Sequence, residues 1–191
     1  MQKLHSDTGA PLIQVRGLAQ IDLARAMLVS LARQHGCERI VFIDHDMIFT
    51  TSDVLKLVNE CQDYPLIGAP YAQRKEGGKV VGSPILSEAS RMHIIGAKDT
   101  PDILQAAWLG MGLTAVHMCV FNALDATLPG CWHGGLQLKP YFLPIVDGGL
   151  YYSEDISFCR RAAAVGFKPW IDMSVRPGHK GEYVYRLGWP E

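Results

Sequence analysis

The stretch Arg39-Ile40-Val41-Phe42-Ile43-Asp44 constrains the fold more than any other part of the chain. Four apolar residues follow one another without polar alternation. Such a run suits a strand covered on both faces, as in a parallel sheet flanked by helices. An acid ends it, and Ile43-Asp44-His45-Asp46 sets two carboxylates one residue apart where the strand stops. Ligands in open α/β sheets sit beyond such carboxyl ends.

The rest of the chain alternates in the same manner. Residues 12–16 read as a short strand. Residues 20–34 read as a helix with Asp22 near its start and Gly36 as its stop. Thr51 or Ser52 caps a helix over 53–61, whose apolar side is Val54, Leu55, Leu57 and Val58. Short strands follow at 66–69 and 112–118, a short helix at 120–124, a helix over 153–165 capped by Ser153 and closed by Gly166, and a final strand at 168–174. Residues 71–100 read as hairpins or a mobile loop, and 129–149 as irregular. Residues 1–11 read as a flexible start, and 175–191 as a tail that closes the site. Strands alternating with helices over 191 residues predict one α/β domain.

Composition narrows the function classes. With 48% hydrophobic and 19% charged residues the chain is a globular one. Eighteen basic side chains against nineteen acidic ones give a formal charge of -1, so there is no basic excess to serve a nucleic acid or an anionic membrane. Cys37, Cys61, Cys119, Cys131 and Cys159 form no C-x-x-C pair, which predicts free thiols in a reducing, cytoplasmic compartment rather than a disulfide framework or a structural zinc. Residues 103–124 carry no charge over a length that would cross a bilayer. Gln105, Gly110, Gly112, Thr114, His117 and Asn122 would face lipid badly, so this segment reads as a strand followed by a helix, not a membrane span.

Four features can carry chemistry, and each has a plain structural reading beside it. Asp44 and Asp46 can turn toward one point and hold Mg²⁺ or Mn²⁺ together with substrate phosphate, or they can be two solvated acids in a turn. Glu154 and Asp155 can serve as a rigidly held general base, or simply favour the positive end of their helix. His179, between Gly178 and Lys180-Gly181, is either a surface residue or a metal ligand whose imidazole favours Mn²⁺ over Mg²⁺. Arg25 lies beside the apolar arc of its helix and needs an anionic partner, either a structural carboxylate or a bound diphosphate. Among weaker signals, Trp108, Gly110 and Gly112 suit the close approach of a ligand or a buried turn. Arg74, Lys75 and Lys79 form a mildly basic loop. Phosphate-loop, dinucleotide, serine-hydrolase and zincin signatures are lacking in the sequence.

Taken in order, LARAML, IVFIDHDMIF, GAPYAQRK, AWLGMGLTAVHMCVFNAL, DGGLYYSEDISFCRRAAAVGFKPWID and GHKGEYVY resemble a GT-A glycosyltransferase. The likeness is to the small family-2-like enzymes of bacteria and their phages. It implies a mostly parallel sheet and a Mn²⁺ or Mg²⁺ ion held by Asp44, Asp46 and His179. It further implies nucleotide contacts from Asp44, His45 and Arg25, and a donor and acceptor segment at Trp108, Gly110 and Gly112. Asp155, with Glu154 beside it, would be the base of an inverting transfer. The donor would be a nucleoside diphosphate sugar, and the acceptor a hydroxyl of a glycan, a protein or a small molecule.

The opening departs from that pattern. Eleven residues precede position 12, whereas a strand-helix-strand unit takes roughly 30 or more. The resemblance therefore implies a missing base-binding half-site, explained by a fragment, a mis-assigned start or a completing partner chain. The edge so exposed would favour a homo-oligomer. The rivals are a non-catalytic nucleotide- or sugar-binding domain, a nucleotidyltransferase lacking its usual glycine-rich loop, and a metal phosphoesterase with too few histidines.

Overall fold

The computed structural model describes residues 2–74, 80–84, 102–181 and 184–185. The first half contains α1 (Gln2–Thr8), α2 (Ile21–Gln34), β1 (Arg39–Ile43), β2 (Met47–Ile48), α3 (Thr51–Glu60), β3 (Leu66–Gly68), β4 (Tyr71–Ala72) and β5 (Val80–Pro84). Next come β6 (Ile103–Leu109), β7 (Leu113–His117), α4 (Met118–Asp125), β8 (Cys131–His133) and β9 (Leu136–Leu138). The remainder is β10 (Ile145–Asp147), β11 (Leu150–Tyr152), α5 (Glu154–Ala164), β12 (Trp170–Asp172), β13 (Gly178–Lys180) and β14 (Val184–Tyr185).

Seven strands form the central sheet in the order β1-β7-β3-β12-β6-β5-β4. Every neighbouring pair in it is antiparallel except β3 and β12. The expected mostly parallel sheet is thus corrected to a mixed α/β sheet in which antiparallel pairing dominates. The reason is β7, which enters between β1 and β3 and runs against both, with Phe42 opposite Thr114 and Ile67 opposite Ala115. The apolar run of β1 reports coverage of both faces, and coverage says nothing of a neighbour's direction.

That coverage is real. One face carries α2, α4 and α5 over Val29, Phe42, Val116, Phe121, Phe142 and Phe158. The other carries α3 over Val54, Leu57, Ile67, Leu113 and Ala115. Period-two alternation sends Leu66 to the first core and Ile67 to the second. Phe142 and Phe158 stack with centroids 4.5 Å apart, and burying each ring contributes roughly 1.5–3 kcal/mol.

Local departures from expectation have local causes. Residues 12–16 form no strand: Ile13 packs on the first core, while Arg16 donates to the Gln14 side chain instead of joining a ladder. The opening residues hold a helix, α1, tied to α3 by Thr51 Oγ1 donating to Asp7 at 2.9 Å. The cap of α3 is Thr50, upstream of the expected Thr51 or Ser52. Its hydroxyl accepts from Asp53 N at 3.2 Å and its own N–H donates to Asp53 Oδ2 at 2.7 Å, a reciprocal capping box. Ser153 precedes α5 but its side chain accepts no capping hydrogen bond.

The stretch 129–149 is more regular than expected. It holds the β8–β9 hairpin and the first strand of β10–β11, each closed by a Gly-Gly pair at positive φ, Gly134-Gly135 and Gly148-Gly149. Two successive left-handed residues are what a tight hairpin loop demands. Strand β12 is not the last, because β13 and β14 follow and form a small sheet with β2. Of the 71–100 region, β4 and β5 are strands, with Tyr71 buried. Lys75, Lys79 and positions 85–100 lie outside the described residues, as does most of the segment after Gly181. Residues 103–124 form β6, β7 and α4, and among the described residues no helix is long and apolar enough to cross a membrane.

Candidate functional site

The turn after β1 distributes the two acids of the D-x-D. Asp44 extends the ladder, its N–H donating to Gly112 O at 2.9 Å, and Met47 N donates back to Asp44 O at 3.1 Å. The chain therefore reverses at His45 and Asp46. His45 is exposed at the tip. Asp44 turns toward α2 and Asp46 toward β13. Their Cα atoms are within ~7 Å, the reach of two residues, yet their side chains join separate clusters.

Asp44 belongs to the cluster around Arg25. This guanidinium, 4% exposed on α2, pairs through Nη1 with Asp155 Oδ1, and with Glu154 Oε1 at 3.4 Å. Its Nη2 lies 3.4 Å from Asp44 Oδ1. Its underside rests on the Phe142 ring, 5.9 Å from the centroid. The anionic partner that its place on α2 demands is thus a set of carboxylates at the start of α5 and just after β1. Burial alone would lower Arg25, but Asp155, Asp44 and Glu154 together hold it above its ordinary value.

Asp155 sits at the start of α5 and is engaged on both oxygens. Besides Arg25 on Oδ1, it accepts from Met111 N at 3.2 Å on Oδ2. Burial pushes its carboxyl up to about 6, against the opposing pull of Arg25 and with the help of Glu154. Three carboxylates share one guanidinium. Strongly shifted carboxyls of this kind occur both in structural ion-pair networks and at sites of proton transfer.

Asp46 belongs to a second cluster. It is 8% exposed, and neither carboxylate oxygen accepts a hydrogen bond among the described residues. Its charge is met by Arg74 Nη2, in close contact with Oδ2, and by His179 Nε2 at 3.4 Å from the same oxygen. Strand β13 brings His179 there, because it pairs antiparallel with β2 in a register that sets His179 opposite Met47. His179 Nδ1 lies 2.8 Å from the Ala72 carbonyl. That contact requires a proton on Nδ1, while Nε2 accepts from Arg74 Nε at 2.9 Å. Histidines that bind metals are held in this way, one ring N–H donated to a fixed acceptor.

The expected three-residue metal set is not assembled. Asp46 and His179 meet, but the turn sends Asp44 toward Arg25 instead. Among the described residues no group of three or more His, Cys, Asp or Glu side chains is arranged to hold a metal ion. An orphaned buried carboxylate and an oriented imidazole still fit a Mn²⁺ or Mg²⁺ ion whose other ligands come from phosphate and water.

Tyr71, which sequence reasoning passed over, links the two clusters. Its hydroxyl accepts from Gly112 N at 3.2 Å and its ring meets the His179 ring edge-on at 5.2 Å. Burial pushes its phenol up, reinforced by Asp155 and Asp44. The small residues of the 108–112 segment serve this ring. A Cβ on Gly110 would lie 2.3 Å from Tyr71 Oη, and one on Gly112 2.8 Å from Cζ. Trp108 packs against the first core. The signal was the pairing of an apolar Tyr-Ala segment with two closely spaced glycines. A groove of about 610 Å³ opens elsewhere, beside the β8–β9 hairpin. Arg33, Asp125 and Tyr141 on its walls are already paired to one another.

Comparison with known proteins bears on the fold. No protein-family model matches the sequence, and no curated protein matches it. Among solved structures, the crystal structure of A197 from STIV is similar, with a TM-score of 0.61 at 11% identity. The match covers 97% of this chain and 85% of that one. At that identity the likeness shows the fold alone. The resemblance to GT-A family-2-like enzymes is corrected by these findings. The structural likeness runs to A197, and the central sheet is mixed rather than mostly parallel.

Proposed function

We propose that the chain transfers a sugar from a nucleoside diphosphate sugar to a hydroxyl acceptor with the help of a divalent cation. The observation that carries this reading is the division of the site into two poles beside one turn. Asp46 and His179 offer a carboxylate and an imidazole lone pair to a cation. Asp155, pushed up to about 6 by burial, offers a proton acceptor near neutral pH.

When bound, a Mn²⁺ or Mg²⁺ ion would supply Lewis-acid neutralisation of the leaving diphosphate. The chain's own residues do the rest. The Asp155 carboxylate takes the acceptor's hydroxyl proton as the oxygen bonds to the anomeric carbon. The bond from that carbon to the phosphate oxygen breaks, and its electron pair leaves with the diphosphate. Arg25 keeps Asp155 ionised, and Glu154 stands beside it as a second acid.

One observation favours a second reading. Both Asp155 oxygens are engaged, by Arg25 and Met111 N, so a binding domain without turnover would present the same cluster. The two readings separate in one experiment. Uridine, guanosine, cytidine and adenosine diphosphate sugars are incubated with Mn²⁺ and the wild type, Asp46→Ala or Asp155→Asn. Transfer or slow hydrolysis lost in Asp46→Ala, with kcat down about 10²–10⁴-fold in Asp155→Asn, supports catalysis. Cation-dependent nucleotide binding without consumption of any donor points to the binding domain. Turnover unchanged in Asp46→Ala refutes the cation role.

A further inference from the structure

Asp46 and His179 are not facing empty space. The guanidinium of Arg74 touches both, with Nη2 against Asp46 Oδ2 and Nε donating to His179 Nε2 at 2.9 Å. Both atoms it touches are the lone-pair atoms that would ligate a cation. A guanidinium and a divalent ion therefore compete for the same oxygen and the same nitrogen. Asp46 is nearly inaccessible, whereas Arg74 is half exposed, so its side chain approaches from the solvent side and can leave the same way. Among the described residues neither Asp46 carboxylate oxygen accepts a hydrogen bond, so its ion pairs with Arg74 and His179 are what meet its charge.

We infer that Arg74 is the resident counter-cation of the Asp46–His179 pair, and that a divalent ion enters only by displacing it. This rests on reading Asp46 and His179 as cation ligands. A buried carboxylate left with no positive partner is costly, so the ligand-free protein stays neutralised by its own arginine. The displaced guanidinium then lies at the rim of the site with its charge unmatched. A diphosphate bound to the incoming ion supplies the anion it has lost, so each ligand favours the other by linkage. Arg74 is on this account a positioning and selectivity residue. It suppresses uptake of a free cation and rewards uptake of a cation that carries phosphate.

The test is Mn²⁺ binding to the full chain without nucleotide, read from the electron paramagnetic resonance signal of free Mn²⁺. The proteins are the wild type, Arg74→Ala, Arg74→Gln, Lys180→Ala and Asp46→Asn, with thermal unfolding of each as the check on folding. Arg74→Ala and Arg74→Gln are expected to bind Mn²⁺ about tenfold more tightly than the wild type, equivalent to about 1.4 kcal/mol. Lys180→Ala removes the side-chain charge next to His179, and only a small gain, about twofold at most, is expected from the general field. Asp46→Asn abolishes binding. Asp46-dependent binding that is equal in wild type and both Arg74 variants overturns the inference and leaves the cation site standing. A gain in Lys180→Ala as large as in Arg74→Ala also overturns it. No Asp46-dependent binding in any of the proteins overturns the cation reading and the inference together.

Discussion

Arg25→Met is the most searching perturbation of the candidate site. Arg25 is 4% exposed and pairs with Asp155, Glu154 and Asp44, whose side chains are 17%, 23% and 33% exposed. Methionine fills the stem of the side chain and can still rest on Phe142, so packing is largely kept and charge is lost. Removing one partner of a buried ion pair costs about 3–5 kcal/mol, because the remaining charges stay desolvated. That is a large share of the roughly 5–15 kcal/mol that holds a domain together. For a chain of this size it lowers Tm by about 6–20 °C.

The pH dependence gives the refuting result. Asp155 already sits above its ordinary value, pushed up to about 6 by burial, and Arg25 is the group that opposes the rise. Without Arg25 it rises further. A carboxylate whose folded value exceeds its unfolded one binds more protons when folded. It therefore loses stability as pH rises through the folded value and regains it on acidification. Unfolding followed by circular dichroism at about pH 7.5 and about pH 5 should show the deficit of Arg25→Met shrinking at the lower pH. A deficit below about 1 kcal/mol at neutral pH would mean that the carboxylates are not held by this guanidinium. A deficit that grows on acidification would refute the electrostatic account altogether.

Two further outcomes follow from packing and from a separate half-buried acid. Gly110→Ala drives a methyl to 2.3 Å from Tyr71 Oη and 2.5 Å from Val81 Cγ1. It should cost about 1–3 kcal/mol in urea unfolding and weaken Mn²⁺ binding through the displaced Tyr71–His179 contact. Glu60 is pushed up to about 7, first by burial and then by Asp172 nearby. Its stabilising protonated form is therefore lost as pH rises through about 7. Glu60→Gln should then gain on the wild type by about 1 kcal/mol between pH 5 and 8, after allowance for solvent screening. An equal stability difference at both pH values would contradict the shift.

What was legible in the sequence is the part that hydrophobicity encodes. The unbroken apolar run of β1 announced two covered faces. The place of Arg25 beside the apolar arc of α2 announced a buried guanidinium needing an anion, either a carboxylate or a diphosphate, and the structure supplies carboxylates. What was not legible depends on partners distant in the chain. Nothing within residues 39–44 reports that β7, some 70 residues later, pairs against it. The same limit applies to Tyr71, whose role arises only when Gly110 and Gly112 come beneath its ring. Residues 12–16 failed for the opposite reason, because a suitable local composition found no ladder to join.

The D-x-D shows why spacing alone could not settle the site. Two carboxylates one residue apart look like one pair of ligands, and an extended backbone would aim them to the same side. Here a tight turn begins at the first acid, so the alternation that would align them stops between them. The decision falls to what waits on each side. A buried guanidinium held by Asp155 and Glu154 stands on the α2 side, and an imidazole brought by β13 stands on the other. Asp44 goes to the first and Asp46 to the second. A motif read as one metal site is divided between the carboxylates around Arg25 and the Arg74–His179 contacts of Asp46. Exchanging the roles would require moving Arg25 or His179, not the aspartates. The double variant Arg25→Met with Arg74→Ala therefore releases both acids at once. If spacing governed the site, that protein would bind Mn²⁺ through Asp44 as well as Asp46, and adding Asp44→Asn would weaken it. If the turn governs, the third substitution changes Mn²⁺ binding by less than about twofold, and the aspartates keep their separate sides without the partners that drew them.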